Sequence, residues 1–135
     1  NLNGISDKYI KVELVVEKEK YRKYHEVLAL SSKKLFKEEG FDISDSDALE
    51  FANSIYSWQP FPETHDTLAV LKNKGYKLII LSNIDNEIIK RSIGLIGIDF
   101  DGVVTAEEVG SYKPSHGHWE EMLKRFNANK TEVYM

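Results

Sequence analysis

The chain has 135 residues, 41% hydrophobic and 30% charged, with a formal net charge of −4 and a pI of about 5.6. That length supports one modest core, or a small core with a satellite helical unit. The acidic balance and the lack of a basic stripe argue against a nucleic-acid partner. The absence of cysteine excludes disulfides, thiolate catalysis and Cys-based zinc sites. No apolar run approaches the roughly 20 residues that span a bilayer, so no membrane partner is expected. No signal peptide is visible, and a cysteine-free chain fits a reducing compartment, so a cytoplasmic location is expected.

In chain order, residues 1–4 read as a loop, and Ser6 as an N-cap with Ile5 and Ile10 as a hydrophobic staple. A helix to about residue 17 places Tyr9, Val12 and Val16 on one face, although residues 12–16 are β-branched enough to fit a strand. Residues 19–39 predict a second helix, with Tyr21, Tyr24, Leu28, Leu35 and Phe36 on one stripe and Gly40 as its stop. Ser44 or Ser46 caps a third helix carrying Leu49, Ala52, Ile55 and Tyr56, which makes residues 5–57 all-helical. Pro60 and Pro62 cannot continue a helix. They mark a boundary between a helical domain, residues 1–57, and a second domain, residues 58–135.

Beyond the prolines, residues 64–74 predict a helix with Leu68 and Leu71 inward, stopped by Gly75. Residues 78–81 are continuously apolar, the pattern of a strand buried on both faces of a parallel sheet. Asp85 or Asn86 opens a helix with Ile88, Ile89 and Ile93 as its apolar set. A short strand falls within residues 100–105, a helix with Trp119, Met122, Leu123 and Phe126 over 115–127, and a further strand opens over 131–135. Alternating strands and helices give an α/β fold with a Rossmann-like parallel sheet core.

The apolar strand breaks into Ser82-Asn83, and ligands of open parallel sheets sit beyond the carboxyl ends of the strands. Ser82 and nearby backbone N–H groups could bind an anion at the next helix N-terminus; alternatively Ser82 only caps that helix. Lys113, held by Pro114, is a compact cation suited to phosphate or carboxylate, or else an ordinary solvated lysine. Asp99-Phe100-Asp101-Gly102 has the look of a nucleophile loop, but Gly94 and Gly97 interrupt the run before it, so it reads as the turn into a strand. His116 and His118 are two apart, which does not put both on one helix face for a metal. His25 reads as a surface histidine, and Tyr21, Tyr24 and Trp58 as core.

Together these residues resemble the haloacid dehalogenase superfamily of hydrolases. Pro60-Phe61-Pro62-Glu63 and the Leu-rich helix after it resemble the return from a helical cap to the core. Leu81-Ser82-Asn83 is similar to the second motif, whose Ser or Thr binds the substrate anion. The stretch from Thr105 to Pro114, Thr-Ala-Glu-Glu-Val-Gly-Ser-Tyr-Lys-Pro, is similar to the third motif, with its lysine. Ser-Asn and Tyr-Lys-Pro look most like the 2-haloacid dehalogenase branch, where Ile84 departs from the usual glycine.

The resemblance implies an all-helical cap that excludes water, and catalysis by Ser82 and Lys113, with Ser82 and Asn83 also binding a small anionic substrate. It implies an Asp nucleophile that forms an ester intermediate. Neither that Asp nor the acids of the fourth motif is assignable in this sequence. In the dehalogenase reading the substrate is a 2-haloalkanoic acid and no metal or other cofactor is needed. In the phosphatase reading Mg²⁺ is required, its ligands lying in the unassigned motifs. A catalytically inactive fragment or binding domain is the third reading. The family's nucleophile strand lies between the strand ending at Ser82 and one beginning near Thr131. The 135 residues alone are therefore expected to be an inactive fragment with an incomplete sheet. The gap would be filled by further residues or by another copy of the chain, with a homodimer as one assembly.

Overall fold

The computed structural model describes residues 2–134, with side chains from residue 4 onward. The chain divides into two compact units, Asn1–Trp58 and Gln59–Met135. No described helix is long and apolar enough to cross a membrane.

The first unit holds three helices, α1 (Leu2–Glu19), α2 (Tyr24–Glu38) and α3 (Asp45–Asn53), and α3 runs on into a 3₁₀ turn, Ser54–Ser57. Helix α1 starts earlier than the sequence suggests. Leu2, Asn3 and Gly4 are helical rather than loop, so Ser6 lies inside the helix and is not its N-cap; Asn1 lies outside the described residues. One helical glycine costs only about 1 kcal/mol, too little to stop a helix by itself. Residues 12–16 are helical, which removes the strand alternative.

The single helix expected over residues 19–39 is broken at residues 20–23. Lys23 takes an extended conformation (φ −63°, ψ 144°) as the N-cap of α2. Arg22 holds the break: Nη1 donates to Val16 O at 3.4 Å, and Nη2 pairs with Glu19 at 3.2 Å. The guanidinium thus serves a carbonyl near the end of α1, where the helix runs out of its own donors. Val12, Val16, Val27, Leu28, Leu35, Ala48, Ala52 and Ile55 form the buried apolar set. Ala48 takes the inward place expected of Leu49, and Leu49 and Phe36 are exposed. Ser44, not Ser46, caps α3, because Asp47 reciprocates: Asp47 N donates to Ser44 Oγ at 3.1 Å and Ser44 N to Asp47 Oδ2 at 3.0 Å.

The second unit runs α4 (Thr64–Asn73), β1 (Ile79–Ser82), α5 (Asn86–Ile96), β2 (Gly102–Thr105), α6 (Ala106–Val109), α7 (Gly117–Phe126) and a 3₁₀ turn, Lys130–Glu132. Strands β1 and β2 are parallel, with Ile79 opposite Gly102 and Ser82 opposite Thr105. This is the expected α/β arrangement, a Rossmann-like parallel core with α5 between its strands. Asp101 makes the turn into β2: its N donates to Leu78 O and Leu78 N donates to its Oδ2, both at 2.8 Å. Its carboxylate is occupied by backbone, which agrees with the turn reading.

Three expectations for this unit are corrected. Of residues 78–81, Leu78 is buried, but Ile79, Ile80 and Leu81 are half-buried rather than enclosed on both faces, because β1 has one ladder partner among the described residues. The strand expected over 131–135 does not form. Asn129 and Glu132 make a capping box around a turn, Val133 is extended (φ −104°, ψ 128°) but unladdered, and Met135 lies outside the described residues. Helix α7 begins at Gly117 rather than at residue 115, so Pro114 sits in the turn ahead of the helix.

Gly102 is required by packing. A Cβ built there would lie 1.9 Å from Cζ of Phe126, the last residue of α7. Gly102→Val should lower stability by about 1–3 kcal/mol, since Phe126 must leave its place against β2. Urea unfolding of the variant checks this, and an unchanged midpoint would mean that the ring moves aside without cost.

Candidate active site at the end of β1

Strand β1 ends in Leu81-Ser82-Asn83, and the loop bearing Lys113 folds back onto that end although it lies 30 residues further on. Lys113 Nζ donates to Leu81 O at 2.7 Å. Leu78 O accepts from Asp101 N on the β2 side. Carbonyls alternate along a strand, so Leu81 presents its own to the opposite edge. The ammonium therefore caps a carbonyl that β2 does not use. Lys113 is half-buried and forms no ion pair among the described residues.

Asn83 joins the same two segments. Lys113 N donates to Asn83 Oδ1 at 2.7 Å, and Asn83 Nδ2 donates to Lys113 O at 3.2 Å. The Lys113–Pro114 peptide bond is cis. Ser82 is half-buried, and its hydroxyl has no hydrogen-bond partner among the described residues. Its carbonyl is 3.0 Å from Nε2 of His118, a fully buried residue of α7. A carbonyl accepts, so Nε2 carries the proton. Nδ1 is then a bare acceptor, buried and without a partner among the described residues. Burial, and secondarily the charge of Lys113, push the His118 pKa below its ordinary value against the opposing effect of the Ser82 carbonyl.

The sequence reading placed Ser82 in the service of the helix that follows, either as its cap or as one side of an anion site there. The structure gives the cap to another residue. Helix α5 starts at Asn86, and its N-cap is the buried Asp85. A carboxylate from within the chain already occupies that N-terminus, since Asn86 N donates to Glu107 Oε2 at 2.9 Å. Thr105 binds the same residue, donating to Asn86 Oδ1 at 2.7 Å while capping α6 by accepting from Glu108 N at 3.1 Å. Sequence reasoning named Ser82, Asn83 and Lys113 but missed His118 and Glu107, whose partners are 36 and 21 residues away. No local pattern announces either pairing. His116 is exposed in the turn before α7, and His25 bonds to Asn53 Oδ1 at 2.9 Å in the first unit. No three described His, Cys, Asp or Glu side chains gather where they could hold a metal ion.

The family profile described as haloacid dehalogenase-like hydrolase matches residues 8–135. The chain belongs to that family. A glyceraldehyde 3-phosphate phosphatase of Methanothermobacter thermautotrophicus is 41% identical over 81 residues, which is 57% of this chain and 35% of that protein. A haloacetate dehalogenase H-2 of a Moraxella species is 26% identical over 96 residues, 70% of this chain and 43% of that protein. The solved L-2-haloacid dehalogenase of Xanthobacter autotrophicus superposes with a TM-score of 0.80 at 18% identity, covering 96% of this chain and 55% of that one. The chain thus spans well under two thirds of each relative.

The depressed His118 pKa has a definite sign. The unfolded chain takes up a proton near pH 6.5 and the folded chain only at lower pH, so stability falls as pH drops below about 6.5. His118→Gln, which can keep a donor toward Ser82 O, should flatten that fall. Urea midpoints at pH 7.5 and pH 5.0 for both proteins check this, and an equal acid loss in the variant would clear His118 of it.

Proposed function

We propose that this chain carries the anion-binding part of a hydrolase site acting on small phosphate monoesters, with Lys113 and Ser82 holding the anionic group. The observation that carries the reading is the Lys113 ammonium. It is half-buried at a strand end, bonded to the neutral Leu81 carbonyl, and paired with no carboxylate among the described residues. Removing a cation from water is costly unless an opposite charge approaches it, and a phosphate or carboxylate supplies that charge. The unengaged Ser82 hydroxyl is a ready donor to the same anion. A fixed ammonium stabilises negative charge as it builds in the transition state, without having to reorient. The same proposal gives residues 1–57 the part of the cap and residues 58–135 that of the α/β core.

The 41% identity to a phosphatase supports a phosphate ester as substrate. That reading implies Mg²⁺, but the described residues bring no metal-binding cluster together. A second reading, hydrolysis of a 2-haloalkanoic acid through an Asp ester, is supported by the haloacetate dehalogenase relative, which matches a larger share of the chain. Lys113 and Ser82 would then hold the carboxylate.

The full-length protein should release phosphate from p-nitrophenyl phosphate when Mg²⁺ is supplied. Chloride release from 2-chloropropionate without phosphate release would favour the second reading instead. With either substrate, Lys113→Ala should lower turnover by about 10²–10³-fold, with stability lowered by about 1 kcal/mol, the scale of the one hydrogen bond lost at the Leu81 carbonyl. Wild-type turnover in that variant would remove Lys113 from the site.

A further inference from the structure

We propose that Asn83 is a positioning residue that aims Lys113, and not a ligand of the substrate. The inference rests on Lys113 being the anion-binding cation. Both ends of the Asn83 carboxamide are engaged by one residue: Oδ1 accepts from Lys113 N at 2.7 Å and Nδ2 donates to Lys113 O at 3.2 Å. The pairing fixes which end of the amide is which, because a backbone N–H needs an acceptor and a backbone C=O a donor. The two bonds stop the Lys113 backbone from turning about its own axis, as a single bond would not. From that clamped position the side chain reaches back past Ser82 to Leu81 O. A flexible four-carbon stem otherwise leaves its ammonium free to wander. Here it is tied at its root by Asn83 and at its tip by β1, two points on the same strand end. One backbone clip therefore does for Lys113 what a carboxylate partner would do, without neutralising its charge.

A ligand and a positioning residue differ in how their losses combine. A ligand contributes beside Lys113, so its loss adds to that of Lys113→Ala. A positioning residue acts through Lys113, so its loss disappears once Lys113 is gone. The first measurement needs no activity: amide hydrogen exchange of the full chain by NMR, with through-hydrogen-bond coupling between Lys113 N and the Asn83 side-chain carbonyl carbon. The coupling should be present. Asn83→Ala should raise exchange at the Lys113 amide by about tenfold, the scale of one lost hydrogen bond. Asn83→Asp, which keeps an acceptor but loses the donor, should leave that amide protected, and it serves as the readout if the alanine variant unfolds.

The second measurement titrates inorganic phosphate into parent, Asn83→Ala, Lys113→Ala and the double variant. The double variant should bind no more weakly than Lys113→Ala alone. Unchanged Lys113 exchange in Asn83→Ala, or additive losses in the double variant, would overturn the proposal. If the parent takes up no phosphate, the anion-site reading fails while the clip is still judged by the exchange and coupling data.

Discussion

The strand end of the second unit is built on one junction, at which the Lys113 ammonium sits on the Leu81 carbonyl. A parallel strand with a partner on one side leaves alternate carbonyls pointing at nothing, and a half-buried carbonyl without a donor is costly. Lys113 supplies a donor there. Bringing it in requires the loop after α6 to close over the strand end. Asn83 fastens the main chain of that loop, and His118, one turn further on, fastens the carbonyl of Ser82. Three consecutive residues of β1 and its exit are thus each bonded to the segment between Lys113 and His118. Removing any one bond still leaves the junction held by the others.

Around this junction the other elements act as supports. Thr105 and Glu107 tie the end of β2 and the start of α6 to the first residue of α5. Arg125 ties α7 to β2 through Val103 O at 2.9 Å and to α6 through Glu108 at 3.1 Å. The Gly102–Phe126 contact sets how closely α7 lies against the strand. Each support is a contact between segments far apart in sequence, so the geometry of the strand end is a property of the whole unit rather than of the motif residues.

Much of this was legible in the sequence, and the parts that were not share a cause. Residues 78–81 announce a strand because no helix face needs four apolar residues in a row. The Ser-Asn break and the Lys-Pro loop announce chemistry through residue type and order. The helix break at residues 20–23 was hidden because Tyr21 and Tyr24 continue the apolar stripe across it, and periodicity cannot register an arginine that turns back to a carbonyl. The strand expected after residue 130 failed because Asn129 and Glu132 favour a local turn over an extended ladder. Ser82 was credited with the α5 N-terminus because adjacency in sequence suggested it, while Asp85 and Glu107 hold that place. Local propensity was readable from the sequence, whereas pairing across 20 or more residues was not.

If Lys113 is the anion-binding cation, as proposed, the carboxylate of Glu107 at the start of α5 bears on selectivity. A helix N-terminus is a broad positive pole that can spread its donors over a large anion. In this chain the Glu107 carboxylate already meets that pole, and the cation at the end of β1 is the Lys113 ammonium. A point charge of that kind grips one anionic head and imposes no plane or handedness on it. It is indifferent to the body of the molecule behind the head, so the identity of the molecule has to be read by groups other than the ones that hold its charge.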